Sequence, residues 1–182
     1  MTRLRIALAL AGTLTYGCLA QAGTVTEIDQ YPFYTPELVS YSAPNGAMPV
    51  AVVGNPFSGG DDELAASLDV PGFAISSLTP IAADGPRKGG HIVLVFNPVG
   101  HAPGGNAVCS DAAGTETSEP GGKFVIQAAF CYSNDVVAEA VLSTPTVSSP
   151  GDPGFQRSMH SLMYSMLPPQ LLKDGCLNLP NC

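Results

Sequence analysis

Cys109, Cys131, Cys176 and Cys182 are the residues of this chain whose type and number point most directly to chemistry. An even set of thiols reads as two disulfides in an oxidising compartment, with three possible pairings. The favoured set joins Cys109 to Cys131 and Cys176 to Cys182; the first bond closes a glycine-rich loop, for roughly 3 kcal/mol on loop-closure reasoning. Pairing Cys176 with Cys182 clips the chain end into a small ring, for about 2 kcal/mol on the same reasoning. A four-thiolate zinc site uses pairs two to four residues apart, and none of these gaps is that short. Redox exchange is disfavoured because no Cys-x-x-Cys is present.

Three histidines remain as candidates for acid/base or metal chemistry: His91, His101 and His160. His91 and His101 bracket a strongly apolar run, and about 20 Å of extended chain separates them unless the Pro98–Gly100 turn brings His101 back. His160 stands beside Met159, with Met163 and Met166 following, a set of thioethers and imidazole suited to Cu(I). At 100° per residue the three methionines fall on one narrow stripe shared with the apolar face, so core packing is the plainer reading. Asp61, Asp62 and Glu63 open a short helical pattern, where carboxylates favour the positive helix end. The chain has no Gly-x-Ser-x-Gly elbow, His-Glu-x-x-His or phosphate-binding glycine loop, and no residue is assigned as catalytic, metal-ligating or cofactor-binding.

The compartment is read from the first 22 residues. Arg3 and Arg5, the apolar run Ile6 to Leu14, and Ala20-Gln21-Ala22 form an export signal followed by a small-x-small cleavage site. Thr15-Tyr16-Gly17-Cys18 competes as a lipobox, in which case residues 1–17 leave and Cys18 carries the lipid. Either route leaves four thiols and places them outside the reducing cytosol, in the periplasm, secreted, or on a membrane-anchored lipoprotein. The apolar run is shorter than the roughly 20 residues needed to span a bilayer, so membrane association is expected only through a lipid at Cys18.

Removing Arg3 and Arg5 leaves five basic residues against fifteen acidic ones, a formal charge of −10. Nucleic acid and anionic lipid are therefore poor partners, since binding phosphates requires the missing lysines and arginines. Residues 23–182 are enough for a single globular domain, and the 20 glycines and 17 prolines predict short elements joined by many loops.

The elements that must position these residues follow from pattern. Residues 24–47 read as an extended leader with turns, the aromatics of Tyr31-Pro32-Phe33-Tyr34 lying over a neighbouring element. Strands are expected at Pro49–Val53, Phe73–Leu78, Gly90–Phe96 and Phe124–Tyr132, and a short helix runs from Asp61 through Leu68. The continuous apolar run before Asn97 predicts a central strand buried on both faces. Residues 98–122 read as a long exposed loop, and Val136–Leu142 as a strand or a short helix. Asp152-Pro153 supplies a cap and a first-turn proline for a helix over 155–167, ended by Pro168-Pro169. Asn55 and Asn97 each precede a proline at a strand end; side by side they would form a shallow polar notch. The fold class is thus α/β or α+β: a small mixed sheet of three to five strands, one face covered by the C-terminal amphipathic helix, with disulfide-stapled loops.

The export signal, Gly54-Asn55-Pro56-Phe57, Val-Leu-Val-Phe-Asn-Pro at 93–98, Cys109, Ala-Ala-Phe-Cys at 128–131 and the helix ending before Pro168 together resemble a family of small, functionally uncharacterised exported proteins or lipoproteins of Gram-negative bacteria. The resemblance covers roughly residues 48–168. It implies an envelope protein and the Cys109–Cys131 pairing, and supplies no catalytic residues. The expectation is a non-catalytic periplasmic or envelope-associated protein with a binding or structural role toward another envelope protein and without a cofactor. The alternative is a small hydrolase, or a copper- or zinc-handling protein, using His91, His101 or His160.

Overall fold

The computed structural model describes residues 23–84, 88–100 and 104–170. Cys18, His101, Cys176, Cys182 and the expected signal at residues 1–22 lie outside them. The chain forms β1 (Thr24–Gln30), α1 (Pro36–Tyr41), β2 (Ala47–Val53), α2 (Gly60–Ala66), β3 (Ser77–Ile81) and β4 (Gly90–Phe96). It continues through α3 (Asn106–Ser110), β5 (Lys123–Tyr132), β6 (Asp135–Pro145) and α4 (Pro153–Met166), with short 3-10 turns at Pro44–Gly46 and Ala112–Gly114. The six strands make one mixed sheet in the order β1-β6-β5-β4-β2-β3. β2 runs parallel to β3 and β4, whereas the β4–β5, β5–β6 and β6–β1 pairs are antiparallel.

Side-chain alternation along β4 sends Ile92, Leu94 and Phe96 to one face and Val93 and Val95 to the other, and all seven residues of the strand are buried. This is the central strand that the apolar run before Asn97 predicts. The first face packs on α1, α2 and α4 and holds the larger core, where Phe57 meets Phe96, Phe124 and Phe155 edge-on at centroid distances of 6.3, 5.6 and 5.3 Å. The second face holds a smaller core of Ala51, Val93, Val95, Ala129, Cys131 and Val136 under Val108, Cys109 and Ala112.

α4 begins where its sequence signals place it. Asp152 accepts hydrogen bonds from the Gly154 and Phe155 amides at 2.7 and 3.1 Å, and Pro153 takes the first helical position. Met159, Met163 and Met166 are buried in the larger core with Phe155 and Leu162, so the apolar stripe is packing surface.

Four expectations need correction. Residues 24–47 are not merely an extended leader: they supply edge strand β1 and helix α1, so the sheet has six strands rather than three to five. β1 carries almost no apolar signal because its residues are nearly all exposed, as an edge strand allows. The strand expected at Phe73–Leu78 lies at Ser77–Ile81, because pairing with β2 fixes the register from Ala47↔Ser77 to Ala51↔Ile81 while the preceding chain turns. Residues 98–122 contain α3 and a 3-10 turn.

The segment 136–142 resolves as strand, within β6. A register shift between Phe130 and Cys131 inserts an extra β6 residue, so that Val136 joins the smaller core and Val137 the larger. At the opposite end of the sheet the expected polar notch is filled. Asn55 and Asn97 do follow adjacent parallel strands, but Thr117 lies against Gly54, where a Cβ would come within 2.8 Å of its methyl group. Both asparagine side chains are engaged: Asn55 binds Asp61 and the Phe57 amide, and Asn97 accepts from the Val125 amide at 3.0 Å.

Candidate functional site

Where β5 turns into β6, three segments remote in sequence enclose a groove of about 610 Å³. One wall is Tyr31, Pro32 and Phe33, which follow β1, with Leu38 from α1. Its backbone is fixed by the Tyr31 amide donating to the Val137 carbonyl at 3.0 Å, and by a turn in which the Tyr34 amide donates to the Tyr31 carbonyl at 2.9 Å. Thr35 caps α1 by accepting from the Leu38 amide at 3.2 Å. The floor and the second wall are Tyr132, Asp135, Val136 and Val137. Gly105 and Asn106, at the start of α3, complete the ring.

The disulfide holds that third wall. Cys109 of α3 is bonded to Cys131 of β5, with Cα atoms 5.7 Å apart, and both residues are buried. Cys109 lies one helical turn beyond Asn106. The Asn106 carboxamide accepts from the Val136 amide at 2.8 Å and donates to the Asp135 carboxylate at 3.2 Å. One side chain thus ties α3 to the first two residues of β6.

A hydrogen-bonded carboxylate lies behind the aromatic wall. The Tyr31 hydroxyl donates to Glu139 at 2.6 Å, and the Gly105 amide donates to both Glu139 oxygens at 3.3 and 3.2 Å. The bond to Glu139, then burial, then the charges of Glu139 and Asp29 push Tyr31 up from 10.0 to about 12. Glu139 also borders an acidic recess of about 220 Å³ with Glu27, Asp29 and Gln127. On the other side of the turn, burial and then the charge of Glu37 push the Tyr34 phenol well above its usual range; its hydroxyl donates to the Pro168 carbonyl at 2.7 Å.

The lining is mostly apolar and aromatic, with Asn106 and Asp135 as its polar side chains besides the tyrosine hydroxyls, as in small-molecule sites. Phe33 is 78% exposed and Tyr132 38% exposed, so two rings present their surface to solvent.

The histidines are not gathered there. His91 is only 2% exposed and sits on the face of the smaller core, its Cα paired with that of Cys131. His160 projects from α4, on the opposite face, where its Nδ1 lies 2.9 Å from an Asp69 oxygen; both side chains are more than half exposed. Ser67, Asp69, Arg157, His160 and Ser161 line only a shallow surface depression between α2 and α4. Among the described residues no group of three or more His, Cys, Asp or Glu side chains could hold a metal ion. No helix among them is long and apolar enough to cross a membrane.

Of the cysteine pairings, Cys109–Cys131 is present; Cys176 and Cys182, like His101 and Cys18, fall outside the described residues. Tyr31, Phe33, Asn106, Tyr132 and Asp135 were not singled out as a site by sequence reasoning. Their one legible signal is the aromatic run Tyr31-Pro32-Phe33-Tyr34. No family model, no curated protein and no solved structure matches this chain.

Proposed function

We propose that this chain is exported from the cytosol and works in the envelope as a non-catalytic binding protein whose ligand site is the aromatic groove beside the Cys109–Cys131 cross-link. The groove itself carries the reading. It is concave, within the volume range of small-molecule sites, and its third wall is fixed by a covalent bond. Export by the signal at residues 1–22, or anchoring through Cys18, accords with that bond, because disulfides persist in oxidising compartments. The resemblance to exported envelope proteins points the same way.

The hydrolase or metal-handling alternative has weaker support. His91 and His160 occupy opposite faces of the sheet, and no metal-holding cluster is assembled among the described residues.

Amide NMR of the mature chain against a panel of small aromatic and aliphatic compounds tests the reading. Shifts confined to residues 31–38, 105–106 and 132–137 are expected, and they should disappear in Tyr132→Ala. Binding that maps to another surface, or no binding across the panel, would overturn the assignment of the groove. Mass spectrometry of the N-terminus in the native envelope tests export separately; an uncleaved Met1 would overturn it.

A further inference from the structure

We propose that the groove recognises a small, soluble organic cation of the trimethylammonium class. This rests on the groove being a ligand site and adds the chemistry of what fills it. Three aromatic residues, Tyr31, Phe33 and Tyr132, share the lining with one carboxylate, Asp135, and among the described residues no lysine, arginine or histidine lines it. Aromatic faces attract cations through the ring quadrupole, and quaternary ammonium groups suit such cages because their methyl groups are content in apolar surroundings while the charge faces the rings.

Two hydrogen bonds bias the cage further toward positive charge. The bond from the Tyr31 hydroxyl to the Glu139 carboxylate places electron density on that ring, which deepens the negative potential of its face. Asn106 holds one oxygen of Asp135 at 3.2 Å and so orients the carboxylate at the mouth. Glu27 and Asp29 lie in the neighbouring acidic recess with Glu139, and the whole chain is acidic, so the surrounding field also attracts cations. The same field opposes docking on an anionic bilayer, and the site is a concavity rather than a flat face. A freely diffusing ligand is therefore the better fit than a lipid headgroup.

The test is calorimetric titration of the oxidised mature chain with choline and with its neutral isostere, in which carbon replaces the quaternary nitrogen. Choline is expected to bind at least about tenfold more tightly than the isostere. Asp135→Asn, which keeps an oxygen for the Asn106 bond, should weaken choline by about tenfold and leave the isostere unchanged. Phe33→Ala removes a solvent-exposed ring without opening the core and should weaken both. Equal affinity for choline and isostere, or choline affinity unchanged in Asp135→Asn, would overturn the cation inference while leaving the groove as an apolar site. Failure of both compounds to bind, with aromatic compounds still shifting the groove amides, would also overturn it alone. Binding to phosphatidylcholine vesicles but not to free choline would overturn the soluble-ligand assignment.

Discussion

The Tyr31 hydroxyl donates to the Glu139 carboxylate at 2.6 Å, joining residues 108 positions apart. Because Glu139 also accepts from the Gly105 amide, one side chain fastens the exit of β1, the middle of β6 and the approach to α3. The aromatic wall of the groove and its disulfide-held wall are thus referenced to the same carboxylate.

That bond predicts a specific alkaline behaviour. Folding raises the Tyr31 pKa from 10.0 to about 12, so between those values the folded chain keeps a proton that the unfolded chain has released. Its stabilisation is complete below pH 10 and is lost as pH rises through about 12. Tyr31→Phe should be less stable than the parent at neutral pH, and the gap should shrink across that interval. Urea unfolding at stepped pH measures it; a gap that stays constant to high pH would contradict the assignment.

The cross-link should contribute measurably to stability. Cys109 and Cys131 are 22 residues apart, a loop for which chain-entropy reasoning gives roughly 3 kcal/mol. Replacing both with alanine should lower the unfolding free energy by about that amount and broaden the amide signals of residues 105–110. Because both sulfurs are buried, a mild reductant should leave the folded parent intact and open the bond only as the chain unfolds. Rapid reduction under native conditions would count against this.

Phe57 links the aromatic cluster, touching three other rings. Phe57→Ala should cost about 3–5 kcal/mol, because it removes a buried ring and leaves a cavity among close-packed neighbours. Phe33→Ala, by contrast, should change stability by no more than about 0.5 kcal/mol, since that ring lies in solvent. Thermal denaturation of the pair distinguishes core from site.

Gly90 opens β4 directly against Ser42, with no space for a Cβ between them. Gly90→Ala should therefore force α1 away from the sheet and cost about 1–3 kcal/mol, the usual range for overpacking. Loss of protection at the Ser42 amide, which bonds the Leu38 and Val39 carbonyls, would appear in hydrogen exchange; unchanged protection there would argue against the close contact.

Much of this architecture was legible in the sequence where the signal was local. The run from Gly90 to Phe96 marked its strand because both faces are buried, and Asp152-Pro153 marked the start of α4 because capping is a short-range interaction. Parity left three cysteine pairings open, and Cys109–Cys131, favoured because it closes the glycine-rich loop, is the one present among the described residues. β1 left little trace, since an exposed edge strand needs no apolar alternation. The groove was hidden for a different reason. Tyr31, Asn106 and Asp135 meet only after β1 has paired with β6 and α3 has been pulled onto β5, and neither event has a local signature. The histidines illustrate the converse: His91 and His160 are conspicuous by residue type, yet the topology sets them on opposite faces of the sheet.

The pairing of β1 with β6 also has a temporal side. A chain delivered N-terminus first presents Thr24–Gln30 long before Asp135–Pro145, its neighbour in the sheet among the described residues. The first strand to emerge must wait with open hydrogen-bonding groups while more than half the polypeptide arrives, and its acidic, bulged sequence keeps it from pairing elsewhere meanwhile. Closing this edge of the sheet is a non-local pairing that requires the β5–β6 hairpin to be present, and any truncation ahead of Asp135 would leave the polypeptide with an unmatched margin.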